Sequence, residues 1–423
     1  MDAPPAHVPG PEQAASGIRA PLAGIKVLDL SRVLAGPWCT MMLADLGAEV
    51  WKVEHPRRGD DSRGWAPPEA GGESTYYLSA NRNKYGLAVD LKHPQGQDIV
   101  RALAARADVL VENMRLGTME RLGLGYEALA ASNPGLVYCS ISGYGRNSPL
   151  AALPGYDLLI QAESGLMSLT GEADGPPLKF GVPIADLITG MNASQAILAV
   201  LLARQHLGQG QWLDMALFDG ALAATATVAS GYLNTGAVPG RYGNAHPTVV
   251  PYQAFVASDQ PFILACGNDG QFKNLCEQVI EHPALASDGR FSRNRDRVVH
   301  RDELMAILEP IFAAASATQW VARLQKAGIP AGMVRTLPEV FASPEVAGRG
   351  LVDEMPHATA GRLRLPASPL RVSGVHRPPR PPPRLGEHTA WVLGRELGLE
   401  AARIAELAAA GAIALAPESH VGP

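Results

Sequence analysis

From residue 24 to residue 143, short apolar runs alternate with segments of helical periodicity. "GIKVLDL" places Ile25, Val27, Leu28 and Leu30 in a near-continuous apolar run, the pattern of a strand buried on both faces. The loop "SRVLAG" follows. "PWCTMMLADLG" then reads as a helix, with Pro37 suited to its first turn and Gly47 to its end. "AEVWKVE" is the next strand. The alternation continues with "GLAVDL", "DVLVEN" and "GLVYCSISG" as strands and "PQGQDIVRALAARA" and "YEALAASNP" as helices. Such alternation predicts an α/β, doubly wound parallel sheet with helices on both faces and right-handed crossovers. Open sheets of this kind take ligands beyond the carboxyl ends of their strands. The loops after Leu30, Glu54, Leu91, Asn113 and Gly143 are therefore the candidate binding segments.

The second half is organised differently. "GEADGPPLKFGVP" is a Gly/Pro-rich loop that leads into a predicted helix over 187–206. That helix carries Leu187, Met191, Leu198, Leu201 and Leu202 and no charge until Arg204, so it is expected to be buried. A second apolar helix, "FDGALAATATVASGYL", follows "GQWLDMAL". Residues 241–335 hold short strands ("QAFVA", "FILACG") and helices, one around Trp320 to Ala327, and read as a small α+β domain. "GRLRLPASPLRVS" reads as a strand pair, "HRPPRPPPRLGEH" as an extended Pro-rich segment, and the stretch from His388 as helical. The expected organisation is a disordered tail (1–20), the N-terminal part of a large domain (21–225), a linker (226–240), the small domain (241–335), and a linker with a return to the large domain (336–423).

Composition narrows the function classes. Of the 423 residues 47% are hydrophobic, ample for buried cores, and the net charge of −5 argues against a general nucleic-acid binder. Cys39, Cys139, Cys266 and Cys276 form no CxxC pair and have no zinc-ligand spacing, so they read as reduced thiols of a cytoplasmic protein, with no metal site. The first 20 residues have no apolar core of a secretory signal, and no uninterrupted apolar run reaches the ~20 residues of a membrane helix. No phosphate loop, dinucleotide fingerprint, G-x-S-x-G elbow or HExxH is present, so no redox or metal cofactor is expected.

One acid stands out. Asp186 sits at the seam between "GVPIA" and the long apolar helix. As a structural residue it would cap that helix. As a chemical one it would be a nucleophile, kept ionised by the helix N-terminus, whose N–H groups would steady an oxyanion.

A set of blocks decides between these readings. They are "VLDLSRVLAGPWCTMMLADLGAEVWKVEHPRRGDDSRGW", "NRNKYGLAVDLKHPQG", "VLVENMRLGTMERLGLGYEAL", "CSISGYG", "PGYDLLIQAESGLMSLTGE" and "IADLITG". In this order and spacing the chain resembles the class III CoA-transferases, the CaiB/BaiF family, from about Gly24 to Ile413. The resemblance implies a large doubly wound CoA-binding domain built from N- and C-terminal segments, an inserted small domain, and an interlocked homodimer. It implies that Asp186 is the nucleophile and that coenzyme A or acyl-CoA is a substrate, with no permanently bound cofactor. It further implies that coenzyme A is bound by Leu34 and Ala35, His55 (where relatives often carry Arg), Val89, Asp90, Leu91 and Lys92, Asn113, Met114 and Arg115, Arg121, and the block Pro154, Gly155, Tyr156 and Asp157. The racemase branch of the family, which resembles this chain, carries His where Tyr156 stands, and a phenol is a poor general base at neutral pH. "GESTYYLSANRNK" and "RYGNAHPTVVPYQAF" look most like the succinate–hydroxymethylglutarate (glutarate) CoA-transferases, which points to succinyl-CoA as donor and a C4–C6 dicarboxylate as acceptor, with Arg241 or His246 on the distal carboxylate. The alternatives are an α-methylacyl-CoA racemase-like enzyme and a non-catalytic CoA-binding homologue; no nucleic-acid or membrane partner is expected.

Overall fold

The computed structural model describes residues 20–373, 375 and 378–416. The expected tail, apart from residue 20, and part of the Pro-rich segment lie outside them. Two compact units emerge. One comprises residues 20–164, 181–226 and 349–416; the other comprises 165–180 and 227–348. The Gly/Pro-rich loop before Asp186 thus divides: its part up to Phe180 belongs to the second unit.

The first unit is built on a seven-stranded sheet in the order Ile413–Ala414, Lys84–Val89, Glu49–Glu54, Lys26–Asp29, Val109–Glu112, Val137–Ser142, Trp212–Ala216. All pairings are parallel except the first, in which Ile413–Ala414 runs antiparallel to Lys84–Val89. The chain starts at the centre, builds outward to one side, then crosses back to the other. The order reverses between Lys26–Asp29 and Val109–Glu112, where a crevice opens at the strands' carboxyl ends.

Alternate residues of each strand feed two separate cores. Leu28, Trp51, Val53 and Leu87 pack with Ile99, Leu103, Val392 and Leu407 on one face. Val27, Val50, Val109 and Val137 pack with Cys39, Leu43, Ala193 and Ile197 on the other. The strands are buried from both sides, which is why they read as nearly continuous apolar runs.

Several elements differ from expectation. The first helix spans Ala35–Asp45, starting two residues before Pro37. The long helix is Ile184–Leu207, three residues longer at its start, because Pro183 serves as its N-cap. Its length and hydropathy would suit a membrane span; here Gly190 brings it against Ala35, where a Cβ would lie 2.6 Å from the Ala35 carbonyl oxygen. Trp212–Ala216 is an edge strand. The expected helix after it breaks into Leu217–Ala224 and Ala226–Thr235, so part of the expected linker is helical. Gly361–Pro366 pairs with the upstream strand Val352–His357, not with 368–373. The second unit holds a three-stranded antiparallel sheet, Tyr252–Val256, Pro261–Ala265 and Ala331–Met333, around a core that includes Phe255, Phe262, Phe312 and Trp320.

Candidate active site

Buried charge organises the ground beneath the crevice. Asp29, at the end of the central strand, accepts hydrogen bonds from the Ser31 N–H at 3.0 Å, the Thr40 hydroxyl at 2.6 Å and the Lys84 ammonium at 3.0 Å. Lys52 reaches Asp60 at 2.9 Å and the Ser31 carbonyl at 3.1 Å. None of these four charged side chains is exposed. Lys52 and the N–H and hydroxyl of Ser62 hold the Asp60 carboxyl down to about 2, against the opposing cost of burial. Asp60 also accepts the N–H of Val33 at 3.1 Å. Val33 has φ +69°, a left-handed conformation that a β-branched side chain rarely adopts. The loop after the central strand is thus held in a strained shape by a charged residue from a different loop.

Two cavities adjoin along the carboxyl ends of the strands. One, of about 380 Å³, is lined by Leu34, Ala35, Asn113, Met114, Arg115, Pro154, Gly155, Tyr156 and Asp186. The other, of about 300 Å³, is lined by His55, Val89, Asp90, Leu91, Lys92, Met114 and Arg121. Arg32, Asp61 and Met114 line both. The structure thereby brings together every CoA-binding residue named from sequence except Asp157, which lines neither.

Asp186 is the third residue of the long helix and not its cap, so the structural reading of this acid fails. It is half-buried, and among the described residues its carboxylate has no hydrogen-bond donor and no ion-pair partner. Burial, and then the negative charge of Asp157, push its carboxyl up to about 7. The helix N–H groups do not face an open oxyanion site as expected. Those of Ala185 and Asp186 are taken by Asp157 Oδ1, at 2.8 and 3.2 Å. Asp157 is therefore employed by the protein itself. The "PGYD" loop that carries it is pressed onto the end of Val137–Ser142. A Cβ on Gly155 would sit 2.3 Å from the Cα of Gly143, so both positions need glycine.

Asn113 is similarly employed, binding the main chain of Arg32 on both sides. His55 accepts the N–H groups of Arg57 and Arg58 on Nδ1, at 3.2 and 3.3 Å. Burial first, and the nearby Arg58 next, lower its tendency to protonate. Arg58, which the sequence reading passed over, lies beside it. In the same cavity Glu54 is paired with Arg63, Asp60 with Lys52 and Asp61 with Arg32. Arg58, Lys92 and Arg121 form no ion pair among the described residues, against one unpaired acid, Asp90, which leaves the cavity with spare positive charge.

Residues 22–389 match the model of the CoA-transferase family III. The chain belongs to this family. It is an enzyme that transfers coenzyme A between carboxylic acids, with acyl-CoA as substrate. It is 42% identical to the succinyl-CoA:glutarate CoA-transferase of Homo sapiens, over 93% of this chain and 90% of that one. It is also 42% identical to a succinate–glutarate CoA-transferase of Agrobacterium fabrum, over 89% of this chain and 95% of that one. The crystal structure of a CaiB/BaiF family protein from Brucella suis superposes with a TM-score of 0.79 at 41% identity, covering 90% of this chain and all of that one.

In this CoA-transferase the two residues named for the distal carboxylate, Arg241 and His246, belong to the second unit. Arg241 donates to the carbonyl oxygens of Glu172 at 3.1 Å and Gly175 at 2.6 Å. It thereby closes the loop that starts at Gly171. His246 Nδ1 accepts the N–H of Thr248 at 3.1 Å, and its ring lies against Tyr252. Each has local structural work that the sequence did not reveal.

Proposed function

We propose that this CoA-transferase takes coenzyme A from succinyl-CoA and passes it to a C4–C6 dicarboxylate, with Asp186 as the nucleophile. The observation that carries this reading is the state of Asp186: a carboxylate without a partner, lining a cavity at the point where the strand order reverses. A structural acid would be expected to hold a donor or a cation.

The chemistry proceeds in two matched halves. An Asp186 oxygen bonds to the thioester carbon of succinyl-CoA, the C–S bond breaks, and the electron pair leaves on the CoA thiolate. The thiolate sulfur then attacks the Asp186 acyl carbon, releasing succinate and leaving CoA as a thioester on Asp186. The acceptor carboxylate attacks that thioester, the thiolate leaves again, and it finally attacks the acceptor's acyl carbon. Asp186 returns as a carboxylate and no proton is consumed.

The two cavities suit the two ends of the substrate. The one with Val53, Val89, Leu91 and Leu122 on its walls suits the adenine, with Arg58, Lys92 and Arg121 on the phosphates. The one with Asp186 suits the thioester. The dicarboxylate assignment is supported by the relatives named for glutarate. Exposed Leu233, Val238 and Leu337, each more than 70% accessible, support the interlocked homodimer, which would cover such side chains. Four buried free cysteines support a cytoplasmic home.

The test is intact-protein mass measurement after mixing with succinyl-CoA, with a panel of mono- and dicarboxylic acids as acceptors. A CoA adduct on the wild type and none on Asp186→Ala is expected, with turnover only for dicarboxylates of four to six carbons. Unimpaired transfer by Asp186→Ala would overturn the nucleophile, and equal rates with monocarboxylates would overturn the acceptor class.

A further inference from the structure

An acid at the third position of a helix ordinarily reaches back to the backbone N–H of the cap residue. Here the cap is Pro183, which has no N–H, so that route is closed to Asp186. The first turn is satisfied from outside. Asp157 Oδ1 accepts the N–H groups of Ala185 and Asp186, while Asp157 Oδ2 is fixed by Nε2 of buried Gln161 at 2.6 Å. Asp157 itself opens the helix Asp157–Glu163, and the Gly143–Gly155 contact sets where that helix begins.

We propose that Asp157 is a positioning residue for the transfer reaction: it ties down the backbone of Asp186 and sets a second carboxylate beside one whose own charge disappears on acylation. The inference rests on reading Asp186 as the nucleophile. In the resting enzyme two carboxylates stand close together. In the anhydride and in the thioester Asp186 is neutral, its charge having left on succinate or on the CoA thiolate. Repulsion from Asp157 therefore burdens the resting state alone and favours the covalent intermediates.

The surroundings single out Asp157. The helix Ile184–Leu207 packs against Ala35–Asp45, Val137–Ser142, Asp157–Glu163, Trp212–Ala216 and Leu217–Ala224. Their titratable groups besides Asp157 are Asp45, paired with Arg82; Cys39, Tyr138 and Cys139, all held neutral by burial; Glu163, bonded to the Tyr144 hydroxyl; Asp214, which accepts the Arg146 N–H; and Asp219. Tyr76, on Thr75–Ser79, feels both acids and stays a phenol. Asp157 is the charge that acts on Asp186.

The experiment measures the rate of CoA-adduct formation from succinyl-CoA between pH 5 and 9, and the adduct fraction at equilibrium with succinate. It compares wild type, Asp157→Asn, Asp157→Glu, Asp157→Ala and Asp186→Ala, each shown to be folded by thermal unfolding. Asp157→Asn keeps the acceptor oxygen and drops the charge. Its acid limb should move down by on the order of one pH unit, and its adduct equilibrium constant should fall about tenfold. Asp157→Glu keeps the charge and should keep the wild-type limb at a lower kcat. Asp157→Ala should lower kcat and leave KM for succinyl-CoA within about twofold, because Asp157 lines neither cavity. An unmoved limb in Asp157→Asn, with Asp186→Ala inactive, overturns this inference alone. So does a raised KM at constant kcat in Asp157→Ala, which would make Asp157 a coenzyme contact. Turnover by Asp186→Ala overturns the nucleophile first and this inference with it.

Discussion

The side-chain amide of Asn113 holds Arg32 by its main chain: Oδ1 accepts the Arg32 N–H at 2.9 Å, and Nδ2 donates to the Arg32 carbonyl at 2.7 Å. This pair joins the two strand ends that flank the point of reversal. It also fixes the residue before strained Val33, whose conformation costs on the order of 1–3 kcal/mol and persists only because neighbours impose it. Asn113→Ala should lower unfolding free energy by about 1–2 kcal/mol. It should also lower kcat, since Arg32 to Ala35 line the cavity that holds Asp186. Urea unfolding and steady-state kinetics check both; a variant as stable and as fast as wild type would show that the clamp is idle.

The ionisation of Asp186 gives a signed prediction. With its carboxyl up at about 7, the rate of adduct formation should climb with pH through 7 and then level off. Stability runs the other way. The unfolded chain holds this proton less tightly, so between about pH 4 and 7 the folded state binds more protons and loses stability as pH rises. Asp186→Asn should therefore abolish transfer yet raise stability at pH 8, by about 1–2 kcal/mol after allowance for solvent screening. A lower melting temperature for Asp186→Asn at pH 8 would contradict this.

Arg121 and Lys92 line a cavity whose acids are largely spoken for. Replacing either with Ala should raise KM for acyl-CoA about tenfold with kcat unchanged, the loss expected for one charge-assisted phosphate contact. A pantetheine thioester without phosphates discriminates: its kcat/KM should be the same in variant and wild type.

Two glycines make a matched pair of opposite sign. Gly155→Ala would drive a Cβ to 2.3 Å from the Gly143 Cα, a backbone collision that should cost about 1–3 kcal/mol. It should also lower activity by displacing Asp157. Gly231, on the helix Ala226–Thr235, has open space around its Cβ position. Gly231→Ala should gain about 0.5–1 kcal/mol. Equal effects of the two in a thermal melt would mean that the close approach is absent.

Much of the central sheet could be read from sequence because strands buried on both faces leave an unmistakable run, as at Ile25–Leu30. The two sheet edges could not. Trp212–Ala216 carries Asp214 in its middle and an exposed Trp212, and Ile413–Ala414 is only two residues long. Ile184 and Ala185 fall before the helix expected at 187–206; the position of Pro183 makes them its first turn. At the site, Asp186 was legible as a lone acid against an apolar helix. The backbone partners of Asp157 and Asn113 were not legible, because a sequence does not disclose that a side chain has found a main-chain partner 28 or 81 residues away. Arg32 and Arg58 carried a usable signal, each lying in a loop after a strand, but so does many a solvated arginine.

The ion pairs under the crevice have a further effect. Asp29 lies opposite Lys52 in the pairing of the two strands, and both side chains share the face of Val27 and Val50. Sliding the Glu49–Glu54 strand by one residue would turn Lys52 toward the apolar face of Leu28 and Leu87, away from Asp29 and Asp60. Misaligned assembly is thereby penalised at the strand ends where the reaction centre is built, so a chain that completes its charge lattice has also aligned its catalytic loops.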